Sequence, residues 1–393
     1  MKEFVFHNPT KIIFGEGTAT QIGEQAAAFG KKVLLVYGMG SVKKHGVYDI
    51  VVKSLQEAGL EIVEFPGVKS NPVLSYARQG VELAKKEEVD AVVALGGGSV
   101  IDTSKSIAAG AVTDTDILEF FTFESNVESA LPLLTIVTIP AAGSEMNGGM
   151  VLTNEETMDK LGTPNYPPLY PKVSILDPSL TYTIPASYTA FSAADAMSHL
   201  LEGYLTHQDE WSPIQDRYVE GLCKSIMEAA EKALADPNDY QGRSTLMWAA
   251  TMAFNDLSSA GIGPFGFPNH MLEHPLSALY DIAHGAGLSI VMPAWMTYAA
   301  GEGNPRIAQF GRNVFGVTAE DDATAAKEGI TAFKQWLTKS GTYTSFADAG
   351  IPASDIDRIT KQTVALATLW GADAYNAENI SQIYGMCGPF ADE

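Results

Sequence analysis

Histidine is scarce in this chain, with seven among 393 residues, and cysteine is scarcer, with only Cys223 and Cys387. Two thiols are too few for the disulfide framework that staples small secreted domains. Cations are also under-represented, since Lys and Arg number 25 against 47 Asp and Glu, giving a formal charge of -22. A surface of that sign repels phosphate backbones and anionic lipid, which argues against nucleic acid and membrane partners. No apolar stretch approaches the roughly 20 residues that span a bilayer, and LSIVMPAWM reads as buried core. The N-terminal MKEFVFHNPT lacks the apolar run and cleavage site of a secretory signal, so a reducing cytoplasm is the expected location. Internal repeats and low-complexity tracts are missing too.

What is present suffices for two cores: 46% of the residues are apolar in a chain longer than a single core usually serves. Up to about Pro185, the runs KKVLLVYG, EIVEFPG, VDAVVALGGG and LLTIVTIP read as buried strands closed by Gly or Pro. Helical patterns lie between them, at 19–29, 42–58, 72–86 and 100–109. Strands separated by helices of that length imply parallel crossover units, with ligands gathering at the strands' carboxyl ends. After Pro185 the β-rich runs nearly vanish and long helical patterns begin with SYTAFSAADAMSHLLEGYLT. The expected plan is an α/β N-terminal dinucleotide-binding domain with a parallel sheet, residues 1–185, followed by an all-α C-terminal metal-binding domain, residues 186–393.

Within VDAVVALGGGSVIDTSKSIAAG, Gly97 and Gly98 follow a strand and Ser99 opens a helix. Glycines let the backbone approach an anion, and the free amides of a helix start point at it. Asp102, three residues after Ser99, is placed to cap that turn. The same residues also suit a tight turn with no ligand, for the motif is neither GxGxxG nor GxxxxGK[ST]. A second such turn, YGMGSVKKHG, offers Gly38, Gly40 and Ser41 with Lys43 and Lys44 nearby. Two glycine turns at parallel strand ends suit a dinucleotide. An acid there would bond the ribose 2'-hydroxyl and repel a 2'-phosphate; Gly38 supplies none, which favours NADP(H) over NAD(H).

Three of the seven histidines fall within HMLEHPLSALYDIAHG, residues 270–285. Asp195 and His199 in SAADAMSHLLEGY stand at i and i+4, so a helix presents both on one face. They read either as half of a metal site or as an ordinary hydrogen-bonding pair. His270 and His274 share the same spacing, whereas His284 lies 14 residues beyond His270. On one straight helix at about 1.5 Å per residue that is about 21 Å, too far for one ion. If the chain reverses between 281 and 285, with Gly285 relieving the turn, His270 and His284 meet. Asp195, His199, His270 and His284 then form a one-carboxylate, three-imidazole set suited to a divalent transition ion. His7, His45 and His207 have no such company and are expected on the surface.

These motifs, together with FHNPTKIIFGEGT, TIPAAGSEMN and LDPSLTYTIP, resemble the iron-dependent (group III) alcohol dehydrogenases, in their butanol dehydrogenase and broad aldehyde reductase branch. The resemblance spans nearly the whole chain. It implies a metal, Fe2+ first and Zn2+ next, and a nicotinamide in the cleft between two domains, acting on a small alcohol or aldehyde in a homodimer. The implied metal ligands are Asp195, His199, His270 and His284, with His274 beside the metal and not ligating it; His274 is then the candidate for relaying the proton between substrate oxygen and solvent. Implied cofactor contacts are Gly97, Gly98 and Ser99 for the pyrophosphate, Asp102 supporting the turn, and Thr138 near the adenine. Ser144, Asn147, Lys160 and Leu180 are implied at the ribose and nicotinamide end. One departure is Ala142, where the family often has threonine. Rival plans are a non-redox enzyme like dehydroquinate synthase, a metal-dependent hydrolase, and a protein with a purely structural metal. The first would want a basic pocket, and the second gives the dinucleotide-type half no purpose.

Overall fold

Alternating apolar side chains in the strands supply two cores, one on each face of a sheet. In the computed structural model, which describes residues 1–392, β1 (Lys11–Phe14) leads through α1 (Ile22–Ala27) to β2 (Lys32–Gly38). Next, α2 (Ser41–Lys44) and α3 (Val47–Glu57) precede β3 (Glu61–Val68), and α4 (Leu74–Glu87) precedes β4 (Ala91–Gly97). Then α5 (Gly98–Gly110) and α6 (Leu118–Phe121) lead to β5 (Leu133–Ile139), followed by β6 (Val151–Asn154), β7 (Asp159–Gly162) and β8 (Val173–Leu176). The sheet order is β1-β8-β5-β4-β2-β3 with every pairing parallel, while β6 and β7 form a separate antiparallel hairpin. Val33, Leu35, Val93, Leu95, Leu134 and Ile136 face one core; Leu34, Val36, Val92, Ala94, Leu133 and Val137 face the other. Burial on both faces is why these strands read as continuous apolar runs.

The four strands expected from sequence are β2, β3, β4 and β5. Additional strands β1, β8, β6 and β7 have four residues each, too few to show a period. The helical pattern at 42–58 divides at His45 and Gly46, where Gly46 adopts a left-handed φ of 76° and ends continuity between α2 and α3. After β2 the chain moves to one neighbour, β3, and then crosses back to the other, β4. That reversal makes a switch point at which the carboxyl ends of β2 and β4 lie side by side, with Tyr37 opposite Leu95.

The remaining helices are α7 (Ala186–Thr206), α8 (Pro213–Ala235), α9 (Tyr240–Ala253), α10 (Pro268–Tyr280), α11 (His284–Gly301), α12 (Pro305–Phe315), α13 (Asp322–Ser340), α14 (Ile356–Leu369) and α15 (Ala377–Gly385). Contacts divide the chain into two units. One holds His7–Ile184 together with Pro237–Asn255; the other holds Met1–Phe6, Pro185–Asp236 and the chain from Asp256 onward. The helix α9 thus joins the sheet, and its Met247 is fully buried in the same core as Leu34 and Val92. Helical period alone does not say which core a helix covers, so the sequence reading groups α9 with the helical half. Among the described residues no helix is long and apolar enough to cross a membrane.

The expected helix, reversal and helix are present: α10 ends at Tyr280, Asp281 is left-handed at φ 50°, and α11 opens at His284. Contrary to the expectation from sequence, Gly285 does not relieve the turn. It sits inside the first turn of α11, where a Cβ would meet the carbonyl oxygen of Phe191 at 2.1 Å. Its lack of a side chain lets α11 approach α7 closely enough to bring His284 to Asp195. Gly285→Ala is expected to destabilise the protein by about 1–3 kcal/mol, measured as a lower denaturant midpoint; an unchanged midpoint would contradict the close approach.

Candidate metal centre and dinucleotide crevice

Three helices of one unit carry the histidine cluster. On α7, Asp195, His199 and Glu202 follow one another at i, i+4 and i+7 along a face that is wholly buried. From α10 come His270, Glu273 and His274, and from the start of α11 comes His284. His199 Nε2 lies 3.2 Å from His270 Nε2, and Asp195 Oδ1 lies 3.5 Å from His199 Nδ1 and 3.9 Å from His284 Nε2. Asp195, His199 and His270 each offer a ligand atom within 4.8 Å of the others. Glu273, His274 and His284 satisfy the same distance.

The hydrogen bonds decide between these two groupings. His270 Nδ1 is 2.9 Å from Glu202 Oε1, which also accepts the His270 backbone amide at 2.9 Å, while Glu202 Oε2 accepts from Asn269 Nδ2 at 3.0 Å. His284 Nδ1 bonds Glu273 Oε2, and Ser277 Oγ donates to Glu273 Oε1. Each carboxylate takes the Nδ1 proton of one ring and turns that ring's Nε2 lone pair inward, toward Asp195 or His199. This is the arrangement that orients ligating histidines. Glu273 is therefore a partner of His284, and the inward set is Asp195, His199, His270 and His284. Burial, reinforced by His270 and His284, holds His199 well below its ordinary pKa, in the neutral form that can donate a lone pair. One carboxylate and three imidazoles fit a divalent transition ion.

His274 is buried one turn from His270. Its ring centre is 5.7 Å from that of His284 and 5.4 Å, edge-on, from Trp370. His7 and His45 are exposed as expected, but His207 is not. It is enclosed at 2% exposure, with Arg306 and Ser212 each 3.4 Å away and Asp216 at 3.7 Å. Its isolation in sequence gave no sign of Arg306, which arrives from α12.

Glu202 and Glu273 escaped the sequence reading. Both are 0% exposed, and the available signal was an acid within an otherwise buried helical face, three residues after His199 and after His270 respectively. Such an acid needs a partner.

In the α/β unit the two glycine turns end β2 and β4 at the switch point. Gly97 is the N-cap of α5 without a side-chain cap, and a Cβ on Gly98 would come within 2.9 Å of the Ala142 Cβ. Ser99 Oγ bonds the Ser70 carbonyl. Asp102 does not cap the turn. It faces the loop after β5, accepting from Ser144 Oγ at 2.6 Å and from the Val151 amide at 3.0 Å. Ser144 and Asn147 are buried, and Asn147 spends its Nδ2 on the carbonyls of Gly143 and Phe254. Thr138 is half-buried near the end of β5, Leu180 packs against the β2 core cluster, and buried Lys160 reaches Asn71 Oδ1 at 3.4 Å. Ser41 opens α2 exposed, after Gly40. Lys43 is held 3.4 Å from Glu64 and 4.3 Å from the Tyr48 ring centre.

Glu202→Gln keeps the side-chain volume but no longer presents a carboxylate to His270. Affinity for a divalent ion is expected to fall about 10–100-fold, read by competition with a chromophoric chelator; unchanged affinity would remove the orienting role.

Comparison with known proteins agrees with this architecture. The family model for iron-containing alcohol dehydrogenases matches residues 9–178, and the model for the C-terminal part of that family matches residues 189–386. The chain is 39% identical to the probable NADH-dependent butanol dehydrogenase 1 of Bacillus subtilis, covering 98% of this chain and 99% of the relative. It is 34% identical to the NADPH-dependent aldehyde reductase YqhD of Escherichia coli, covering 92% and 93%. The crystal structure of NADH-dependent butanol dehydrogenase A from Thermotoga maritima superimposes with a TM-score of 0.95 at 45% identity, covering 99% of both chains. An α/β parallel sheet, a helical unit carrying the clustered histidines, and matches along nearly the full length make this chain a member of the iron-containing alcohol dehydrogenase family.

Proposed function

We propose that the protein is a metal-dependent alcohol dehydrogenase and aldehyde reductase, transferring hydride between NAD(P)(H) and a small aliphatic alcohol or aldehyde. The observation that carries this reading is the pair of imidazoles, His270 and His284, each backed by a buried carboxylate and turned toward His199 and Asp195. Asp195, His199, His270 and His284 hold the metal, with Fe2+ favoured by the family and Zn2+ next by the donor set. When bound, the ion supplies Lewis acidity toward the substrate oxygen, and the nicotinamide supplies or accepts the hydride. Glu202 and Glu273 fix the two rings in place. His274, beside His284 and against Trp370, moves the proton between the substrate oxygen and solvent.

The dinucleotide belongs at the carboxyl ends of β2 and β4, its pyrophosphate over the amides of Gly97, Gly98 and Ser99. Thr138, Lys160 and Leu180 flank it, while Asp102, Ser144 and Asn147 act from behind through the loop they hold. NADP(H) is favoured over NAD(H), since Gly38 presents no acid and Ser41 is exposed at the start of α2. Lys43, being paired with Glu64, adds less to phosphate binding than its position in the sequence suggests. The Bacillus relative is named for NADH and YqhD for NADPH, so cofactor choice turns on such local groups. A reducing cytoplasm is consistent with two free, buried thiols, Cys223 and Cys387. A homodimer is carried over from the family alone.

The test is oxidation of NADPH and of NADH with butyraldehyde, using protein stripped by chelator and then given Fe2+ or Zn2+. Turnover is expected to depend on the restored ion and to favour NADPH. His270→Ala and His284→Ala are each expected to lose metal and activity with the fold kept; full metal content in either overturns the ligand assignment. His274→Ala is expected to keep its metal and lose about 10²–10⁴-fold in turnover; a normal rate across pH removes the relay.

A further inference from the structure

Lys105 lies on α5, seven residues beyond Gly98, with a side chain that is 0% exposed. A buried ammonium is costly unless every donor is used. Here all three are: Nζ donates to Ser144 Oγ at 2.8 Å, to Asn147 Oδ1 at 3.0 Å and to the Gly149 carbonyl at 2.7 Å. The acceptors are spread along one loop after β5, and Asp102 completes the grip through Ser144 Oγ and the Val151 amide. Asn147 Oδ1 also accepts the Gly149 amide at 3.0 Å, so the loop is bonded both to itself and to α5.

The front of the same loop meets the glycine turn, where the space a Gly98 Cβ would fill lies 2.9 Å from the Ala142 Cβ. Gly143, next in the chain, is left-handed at φ 61°, with a Cβ position only 3.0 Å from the Phe254 Cβ. The loop is therefore pinned between α5 behind and the residues after α9 beside it, and Ala142 at its front abuts the glycine turn at Gly98. An apolar side chain at 105 would avoid the desolvation of an ammonium, so the charge is explained by what it holds in place. Burial pushes the Lys105 pKa down to about 8, opposed by Asp102 and Glu145.

We propose that Lys105 is a positioning residue for the dinucleotide, clamping the 143–151 loop to α5 so that Ala142 stays seated against Gly98. It does not touch the cofactor. The role rests on the reading of the crevice as a nicotinamide dinucleotide site.

Equilibrium titration of metal-loaded protein with NADPH and NADH, followed by cofactor fluorescence, tests it on wild type, Lys105→Met, Ser144→Ala and the double variant. Lys105→Met is expected to raise the Kd about tenfold or more, with kcat at saturating cofactor falling much less than the cofactor KM rises. Metal content should be unchanged, because the ligands lie in the other unit. The double variant should bind no more weakly than the weaker single variant, since both residues act through one clamp. Lys105→Met with lowered stability but wild-type Kd overturns the proposal. If that variant does not fold, Ser144→Ala decides, and wild-type Kd there overturns it equally. Wild-type protein that binds neither dinucleotide would sink the functional reading, and this role with it.

Discussion

Everything at the histidine cluster depends on two buried carboxylate–imidazole bonds, Glu202 to His270 and Glu273 to His284. An imidazole can present either nitrogen, and a ring free to rotate would spend part of its time with an N–H facing inward. A carboxylate on the Nδ1 side removes that choice, because it accepts the Nδ1 proton and turns Nε2 inward. The carboxylates are themselves fixed, Glu202 by Asn269 and a backbone amide, Glu273 by Ser277. Ring orientation is thus built into helix packing before any ligand arrives.

The α/β unit solves a related problem with the opposite charge. At the cluster, buried acids hold rings that present lone pairs; behind the glycine turn, a buried ammonium holds a loop that presents backbone. In both places the charged group stands one layer behind the surface it shapes. Both faces of the sheet, by contrast, are packed mainly with apolar side chains.

Much of this was legible in the sequence, for reasons that can be named. Asp195, His199 and His270 declared themselves by helical spacing, and His284 by the distance argument that required a chain reversal, which Asp281 supplies. The central strands were visible because burial on both faces makes them continuously apolar. What stayed hidden depends on partners distant in sequence. Nothing around Asp102 announces that it bonds Ser144 rather than its own helix start, or that Lys105 reaches 44 residues along the chain to Gly149. His207 likewise looked solitary until Arg306, 99 residues away, closed over it. Spacing reveals what shares a helix; it is silent on what another helix brings.

The division of the chain has a bearing on how the protein is made. The α/β unit takes in residues 237–255, and the helical unit takes in Met1–Phe6. As the chain leaves the ribosome, the sheet emerges long before α9, so one of its cores stays open, without Met247, until all of α7 and α8 and then α9 itself have followed. Residues 1–6 wait longer still: Lys2 donates its amide to the carbonyl of Gly261, so that segment finds its place only after residue 261 has been made. The α/β unit, most of which is translated early, is completed only after α7 and α8 of the helical unit have been made.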